Sequence, residues 1–229
     1  MTEGELAIFV RTCPTLFHMA ERDSWPSIER HGLLSTAALL SLFEHPPQHR
    51  DAILGSCRRA SVRLHHPRHG TATIRDQRTM SDAVLRRCLD AMTPGEWCRL
   101  LNGRVFLWAS GARLTRLLQG REYRDRQHEV LHVDTARFFT AYRDQIELSP
   151  MNSGAPNRMA LPRRGRDSFQ PIASYDYAAR RAITGSHGSS VVEVTVADRI
   201  PDIARFVTRV VVMQGDAVAD TLFEASGGP

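Results

Sequence analysis

The sequence predicts one α+β domain that spans residues 1–229. Short apolar runs of strand length alternate irregularly with capped segments of helical pattern. The two most regular strands, SVVEVTV (190–196) and RFVTRVVVM (205–213), come late in the chain. A chain of this length can bury one substantial core. An irregular order of helices and strands favours an α+β arrangement over a doubly wound parallel sheet, in which the two alternate regularly.

The best-defined local unit lies near the N-terminus. LFHMA (16–20) is a short apolar run that is typical of a buried strand. Ser24 or Asp23 can cap the helix that follows, and Pro26 suits its first turn. Gly32 stands where a helix C-terminus often has a left-handed residue. The sequence therefore predicts a strand, a short helix and a glycine stop in this order.

The rest of the chain has a plainer pattern. ELAIFVRTC (5–13) fits a helix or a strand. The other predicted elements are helices over 36–44, 81–92, 93–103, 111–120 and 136–145 and strands over 104–110 and 128–135. The stretch from Ser149 to Tyr177 is rich in Pro and Gly and is predicted as a long loop, which in compact domains is usually functional or disordered. The small polar tail after Gln214 is expected to fray.

Composition indicates a globular chain in a reducing compartment. No run of 18 apolar residues is present, and the acidic N-terminus does not fit a secretory signal, so we expect a cytoplasmic protein without a membrane span. The four cysteines have no paired metal-ligand spacing, which indicates reduced, packed thiols. His65, His66 and His69 lack matching acidic or Cys partners nearby, so no metal site is expected. Common nucleotide-binding and hydrolase motifs are also absent from the sequence.

The charge of the chain suggests a nucleic-acid partner. The net charge is +5, and all 30 basic residues are Arg. They concentrate in two segments with Pro and Gly, 57–70 and 161–169. In the second segment we assign Arg163, Arg164 and Arg166 to nucleic-acid binding, because Arg pairs with phosphates and stacks on bases. A solvated basic face is the structural alternative and stays open.

Two polar residues stand out inside apolar strands. His18 lies in LFHMA, next to a predicted helix N-terminus that suits anionic or hydroxyl-rich ligands. Glu193 lies in SVVEVTV, where Glu is unfavourable. Because side chains alternate along a strand, Glu193 shares a face with Val191 and Thr195, which faces either solvent or a cleft. A core histidine and a structural glutamate are the alternatives.

Two segments resemble those of DarT-type DNA ADP-ribosyltransferases, and the first also resembles, more distantly, RNA 2′-phosphotransferases. LFHMAERDSWPSIERHGLLS (16–35) has the family's apolar strand with a His, the capped helix and the Gly-Leu pair. The matching positions are His18, Pro26, Ser27, Ile28, Gly32 and Leu33. Ala20 stands where the family usually has Thr. SSVVEVTVADRIPDIARFVTRVVV (189–212) is similar to the family's strand with the catalytic Glu, which falls at Glu193.

A third segment is similar to the same family over a shorter stretch. HGTATIRDQRTMS (69–81) is comparable to the family's Gly-bounded loop, and Arg75 and Gln77 are carried over from it. The family also uses an Arg in the preceding segment. Arg58 and Arg59 are the candidates, of which we assign Arg59 to the cofactor.

The resemblance implies an ADP-ribosyltransferase-like fold with central mixed or antiparallel sheets and flanking helices. It implies an enzyme that uses NAD as a substrate, needs no metal, and modifies a nucleic acid, with DNA favoured over RNA. Such an enzyme would act as a toxin or defence protein, and its partner would be an antitoxin or a hydrolase. Glu193 and His18 would form the catalytic pair and face one cleft. NAD would contact His18, Gly32, Leu33, Arg59, Arg75, Gln77, Phe106 and Trp108.

Two other function classes stay open. A catalytically silent domain of this fold, which Ala20 would allow, would bind a nucleotide or nucleic acid without reaction. A phosphotransferase or nuclease would use His18 with Arg groups on a phosphate. NAD binding separates the first two classes from the third, and nicotinamide release separates the transferase from the silent domain.

Overall fold

Short helices and strands follow one another irregularly along the chain, so the fold belongs to the α+β class, as predicted. The computed structural model describes residues 1–78, 80–155, 162–185 and 190–226. The helices are α1 (Glu3–Thr12), α2 (Trp25–His31), α3 (Thr36–Leu42), α4 (Pro47–Leu54), α5 (Asp82–Cys88), α6 (Pro94–Asn102), α7 (Gly111–Leu118), α8 (Thr135–Tyr142) and α9 (Tyr177–Thr184). Short 3-10 turns lie at Arg166–Ser168, Ile172–Ser174 and Ile203–Arg205.

The strands are distributed over the whole chain rather than clustered late. They are β1 (Thr15–Glu21), β2 (Leu33–Leu34), β3 (Val62–His66), β4 (Gly70–Ile74), β5 (Arg104–Trp108), β6 (Gln127–Asp134), β7 (Ile146–Ser149), β8 (Gln170–Pro171), β9 (Glu193–Ala197), β10 (Arg199–Ile200), β11 (Val207–Gln214) and β12 (Ala217–Glu224). β3 and β4 form a separate hairpin.

One eight-stranded sheet organises the structure, in the order β12-β11-β6-β1-β5-β9-β7-β8. The described pairings within it are antiparallel. β1 pairs with β6 along its whole length, from Thr15 to Glu21. Between β1 and β5, by contrast, the described register consists of the single pair Phe17–Trp108. The sheet therefore has two four-stranded halves that are joined in the middle by one rung.

Helices pack on both faces of the first half. α1 and α8 contribute Phe9, Phe138 and Phe139 to the main core on one face. α7 covers the other face with Leu114 and Leu118. Each such buried side chain contributes about 1.5–3 kcal/mol of transfer free energy, so these helices fix the central strands. None of the helices in the described ranges has the length and apolarity that crossing a membrane requires.

Gly32 is the point at which the early and late parts of the chain meet. β2 pairs with β10, and Leu33 lies opposite Ile200. Gly32 has φ 81° and ψ 175°, so its φ is positive as predicted, but its ψ differs from that of the left-handed helical conformation. A Cβ here would lie 2.6 Å from the Cα of Pro201. Only glycine fits this backbone approach.

The tail after Gln214 is a strand, which corrects the expectation that it frays. The chain turns at Gly215 and returns as β12, which pairs with β11 up to Arg209–Glu224. Backbone pairing satisfies β12 while most of its side chains stay exposed, so the segment has no burial pattern that would indicate a strand.

The structure also tests predictions for four further segments of the chain. Segment 5–13 lies in helix α1 up to Thr12. Glu193 opens β9 rather than interrupting a strand, and the strand is buried as far as Val196. Ser24 precedes α2, but its side chain makes no capping bond. The predicted loop 149–177 contains β8 and two 3-10 turns. Its residues 156–161, together with 79 and 189 of the segments that carry the resemblance, lie outside the described residues.

Candidate functional site

A gap opens between β1 and β5 beyond the single rung that joins them. Backbone groups at the edges of this gap bond to side chains, because the neighbouring strand has moved away. His18 Nδ1 lies 2.9 Å from the carbonyl oxygen of Phe106 on β5. Arg75 Nη1 donates to the carbonyl oxygen of Met19 on β1 over 3.3 Å. Side chains thus take the place of ladder hydrogen bonds between the two halves of the sheet.

A cavity of about 300 Å³ lies in this gap. Sites for small molecules usually have roughly 300–1,000 Å³, so the volume suits a small molecule or part of a larger one. The predicted site residues that line it are His18, Gly32, Leu33, Arg75, Gln77, Phe106, Trp108 and Glu193. The early His and the late Glu therefore meet at one cavity, as the sequence predicts.

The register explains why these two residues are close. Phe17 pairs with Trp108 on β5, and Trp108 pairs with Glu193 on β9. Two strand spacings of about 4.8 Å put the backbones of Phe17 and Glu193 roughly 10 Å apart. His18 follows Phe17 and reaches into the gap between the strands. His18 and Glu193 therefore lie about two strand spacings apart across the sheet and line one cavity.

His18 is neutral at physiological pH in this position. Burial lowers the pKa of His18 to about 4, with a smaller contribution from the Arg75 cation, while the hydrogen bond to Phe106 opposes both. Since a carbonyl oxygen can only accept, Nδ1 carries the proton and Nε2 keeps its lone pair. The ring therefore supplies a hydrogen-bond acceptor that suits a hydroxyl group of a ligand.

Glu193 is buried at the same cavity, and burial disfavours its negative charge. Its exposed fraction is 4%. The Ser153 amide donates to both carboxylate oxygens, over 3.2 Å each. Burial raises the pKa of Glu193 to about 7, although the hydrogen bonds from Ser153 and the Arg164 and Arg113 cations lower it. A carboxyl group with a pKa near neutrality can gain or lose a proton at little free-energy cost.

A turn after β7 brings the Ser153 amide to this carboxylate. Ser149 is the last residue of β7 and pairs with Glu193. Its hydroxyl accepts from the Met151 amide over 3.4 Å, which folds the chain back over the start of β9. The amide that contacts the carboxylate therefore comes from the backbone of a loop.

Arg164 is buried, which corrects its prediction as a nucleic-acid contact. Its exposed fraction is 2%. Nη1 donates to the Pro162 carbonyl over 2.9 Å, and Nη2 donates to the Asn152 carbonyl over 3.1 Å. The second bond anchors the peptide group whose amide belongs to Ser153. We call Glu193, Ser153 and Arg164 the carboxylate side of the cavity.

The other side of the cavity consists of Arg58, Arg75, Gln77 and Asn102, which we call the arginine side. Arg58 is buried and donates to Asn102 Oδ1 over 2.9 Å and to the carbonyls of Ile53 and Arg75 over 3.0 and 3.1 Å. Gln77 Nε2 donates to the same Asn102 oxygen over 3.2 Å. Burial lowers the pKa of Arg58 to about 10, so it stays a cation at neutral pH. Arg75 lies over the Tyr123 ring at 5.3 Å.

Arg59 does not line the cavity, which corrects its assignment as a cofactor contact. Its side chain is exposed and donates to the Arg78 carbonyl over 3.2 Å. Arg58, the alternative candidate, turns inward because three acceptors hold its guanidinium group. Of the other predicted nucleic-acid contacts, Arg163 is exposed and pairs with Asp90 over 2.5 Å, and Arg166 is exposed. Neither of these two lines the cavity.

The two predicted aromatic residues lie between the cavity and the core. Phe106 and Trp108 are half-buried and line the cavity. Phe106 also packs edge-on against Phe169 at 6.0 Å, and Trp108 packs against the core under α7. Ala20 is buried and lines the cavity, so the methyl group at this position faces the site.

Two acidic residues of the cavity were missed by sequence reasoning. Arg126 lies 2.7 Å from Glu21 and 3.5 Å from Asp76, and the Tyr123 hydroxyl donates to Asp76 over 3.0 Å. Glu21 and Asp76 both line the cavity. Their only sequence signal was the proximity of Asp76 to the two residues carried over from the resemblance. Within the described ranges, no group of three or more His, Cys, Asp or Glu side chains is arranged to hold a metal ion.

These features define an α+β protein with a small-molecule cavity between two half-sheets, with a buried carboxyl group on one side and the buried Arg58 cation on the other. Over residues 14–207 the sequence matches a family described as a family of unknown function (DUF7002), and the chain belongs to that family. Comparison with curated proteins finds no match.

Proposed function

We propose that the protein is an NAD-dependent ADP-ribosyltransferase that modifies a nucleic acid, with DNA as the first acceptor to test. One observation carries the proposal. Glu193, buried and with a pKa near 7, shares a cavity with neutral His18, while the Arg58 cation lines the same cavity. Such a site can bind an anionic nucleotide and stabilise a cation that develops on its sugar.

The side chains of the cavity suit the parts of NAD. Arg58 Nη2 has no hydrogen-bond partner among the described residues and suits a pyrophosphate oxygen. Gln77 Oε1 is buried without a partner in the described part of the chain and suits an amide or amino group. His18 Nε2 suits a ribose hydroxyl, and the Phe106 and Trp108 rings suit a planar base.

The position of the two motif segments also supports the proposal. The segment that contains His18 and the segment that contains Glu193 are far apart in sequence but touch at Gly32, next to Ile200 and Pro201. A resemblance that rests on two separate segments gains weight when both contribute to one cavity.

Glu193 would perform the charge chemistry of the transfer. The reaction breaks the bond between ribose C1′ and the nicotinamide nitrogen and forms a bond between C1′ and the acceptor, while nicotinamide leaves as a neutral molecule. The ionised Glu193 stabilises positive charge on the ribose and takes the proton that the acceptor loses. The proton can then pass to solvent with little cost, because the pKa of Glu193 is near 7. His18 holds a ribose hydroxyl and fixes the sugar.

Nicotinamide release tests this proposal. Purified protein with NAD and single-stranded DNA, double-stranded DNA or RNA is expected to release nicotinamide and to add one ADP-ribose mass to the polymer. Glu193→Gln should lower turnover by a factor of about 10² or more while NAD affinity changes little, because only transition-state stabilisation is lost. His18→Ala should weaken NAD binding as well. Glu29→Gln, which removes an exposed carboxylate on α2, is the matched control and should behave as wild type.

The other outcomes identify the alternatives. If wild-type protein binds NAD but releases no nicotinamide with any acceptor, the domain is catalytically silent, as Ala20 in the cavity would allow. If it does not bind NAD, the proposal fails, and a phosphotransferase or nuclease that uses His18 becomes the better hypothesis.

The nucleic-acid acceptor has a separate test at the exposed arginines. Arg163→Ala with Arg166→Ala should weaken DNA binding and reduce its salt dependence by about one unit of slope per lost phosphate contact, with NAD binding unchanged. Arg164 is left out of this variant because it is buried. Unchanged DNA binding would mean that this surface is only solvated and that the acceptor binds elsewhere or belongs to another class.

A further inference from the structure

Two of the four cysteines lie against each other behind the arginine side of the cavity. Cys57 follows α4, and Cys98 lies on α6. Their sulfur atoms are 3.4 Å apart. Cys98 is buried, whereas Cys57 is half-buried and reaches the surface beside Asp82, with its sulfur 3.5 Å from Asp82 Oδ1. The other two cysteines, Cys13 and Cys88, are free and buried.

We propose that Cys57 and Cys98 form a dithiol that a peroxide converts reversibly to a disulfide, and that this disulfide changes the arginine side of the cavity. The proposal goes beyond the proposed function and does not depend on it. A disulfide has an S–S distance of about 2.05 Å, so the sulfur atoms need to approach by only roughly 1.4 Å. The segment that contains Cys57 has no regular structure and can supply this movement.

The surroundings of the pair favour reaction. The two sulfur atoms share a hydrogen bond, which lowers the pKa of Cys98, and the nearby Arg58 and Arg99 cations act in the same direction. The same hydrogen bond, together with burial, raises the pKa of Cys57. Thiolate, not thiol, is the reactive form of cysteine. Cys98 is therefore the sulfur that a peroxide oxidises first, and Cys57, whose sulfur is 3.4 Å away, completes the bond.

The chemistry balances with one peroxide molecule. The Cys98 thiolate attacks hydrogen peroxide and becomes the sulfenic acid, and the displaced hydroxide takes a proton and leaves as one water. The Cys57 sulfur then attacks the Cys98 sulfur, the S–S bond forms, and the hydroxyl group leaves as a second water with the proton of the Cys57 thiol. Two thiols and one peroxide thus give one disulfide and two waters. A reducing dithiol reverses the change.

The bond would act on the cavity through the neighbours of the two cysteines. Arg58 follows Cys57 directly, and Asn102 lies one helical turn after Cys98 on the same face of α6. These two neighbours are hydrogen-bonded to each other over 2.9 Å, and both line the cavity. A disulfide would therefore tie the segment that carries Arg58 to the helix that carries Asn102.

Peptide mapping of the oxidised protein tests the proposal. The full chain is treated with a small excess of hydrogen peroxide, free thiols are blocked under denaturing conditions, and the digest is analysed by mass spectrometry. The expected product is a cross-linked pair of peptides that contain Cys57 and Cys98, with a mass loss of about 2 Da that a dithiol reverses. Hydrogen exchange in 55–58 and 98–102 is expected to slow in the oxidised form.

Cysteine variants show whether the cross-linked peptides come from Cys57 and Cys98. Cys57→Ser and Cys98→Ser should each abolish the cross-link, and Cys88→Ser, which removes another buried thiol, should leave it intact. Wild-type mapping needs no variant, so the test holds even if a serine at the buried position impairs folding. Four free thiols after oxidation, or a different cross-linked pair, would overturn the proposal. A Cys57–Cys98 cross-link with unchanged hydrogen exchange would overturn its effect on the cavity.

Discussion

The two sides of the cavity differ in how many hydrogen bonds their buried charged groups form. On the arginine side, Arg58 donates to three protein acceptors. On the carboxylate side, Glu193 accepts from a single backbone amide and the hydroxyl of the same residue, and its pKa rises to about 7. Buried charge is tolerated only when the protein replaces the lost water contacts. The arginine side meets this condition and is fixed for binding, whereas the carboxylate side meets it only in part and is suited to proton transfer.

The largest effect is expected from the loss of the cation on the arginine side. Arg58→Met removes the donor of the Ile53 and Arg75 carbonyls and one of the two donors of the Asn102 oxygen. Each unsatisfied carbonyl costs about 1–3 kcal/mol, so the free energy of unfolding should fall by about 2–6 kcal/mol. Arg59→Met is the matched control, because the adjacent side chain is exposed, and it should change stability by less than about 0.5 kcal/mol. Similar losses in the two variants, measured by urea unfolding, would show that Arg58 has no special role.

Removal of the charge on the carboxylate side should instead increase the free energy of unfolding. The pKa of Glu193 rises from its ordinary value of 4.5 to about 7 in the folded protein. Between these values the folded state binds more protons than the unfolded state, so the free energy of unfolding of the wild type falls as pH increases. Glu193→Gln removes this loss. It should stabilise the protein by up to about 3 kcal/mol above pH 7 and hardly at all below pH 4.5.

Melting temperatures of wild type and variant between pH 4.5 and 9 measure this effect. Glu29→Gln, which changes an exposed carboxylate, should give a difference from wild type that does not vary over the same range. A Glu193→Gln variant that is less stable than wild type at pH 9 would mean that the carboxylate side satisfies its charge as well as the arginine side does.

A smaller effect is expected at Arg164, which links the buried carboxylate to its loop. Arg164→Met removes a cation that lowers the pKa of Glu193, so that pKa should rise further. The midpoint of the pH-dependent loss of stability should move upward and, under the proposed function, so should the acid limb of the turnover profile. Arg164→Lys keeps the charge and should restore part of the shift. Arg163→Met, at the exposed neighbour, should leave the midpoint unchanged.

Sequence reasoning found the elements whose pattern depends on burial. The apolar segments at 16–20 and 205–213 correspond to β1 and β11, because burial selects apolar residues in both strands. β12 was missed because an edge strand can be stabilised by backbone pairing while its side chains stay exposed. Backbone pairing does not depend on side-chain burial, so the amino-acid pattern of β12 does not reveal it.

The site could be predicted at its strands but not at its loops. His18 and Glu193 stand out because they are polar residues in apolar strands. In loops no periodicity shows which of two adjacent arginines turns inward, so Arg59 was chosen where Arg58 lines the cavity, and Arg164 was expected at the surface. The amide of Ser153 could not be predicted, because every residue except proline has one.

The order in which the strands enter the two half-sheets has a consequence for the synthesis of the chain. One half is built from β1, β6, β11 and β12 and the other from β5, β7, β8 and β9, so the two halves are interleaved in sequence. Each half has a strand of the other half between its own strands in the sequence, and pairings between distant segments form slowly. On a ribosome, the cavity between the halves cannot acquire its carboxyl group until β9 has been made and has inserted between β5 and β7. A growing chain therefore has no complete site until Glu193 has been added.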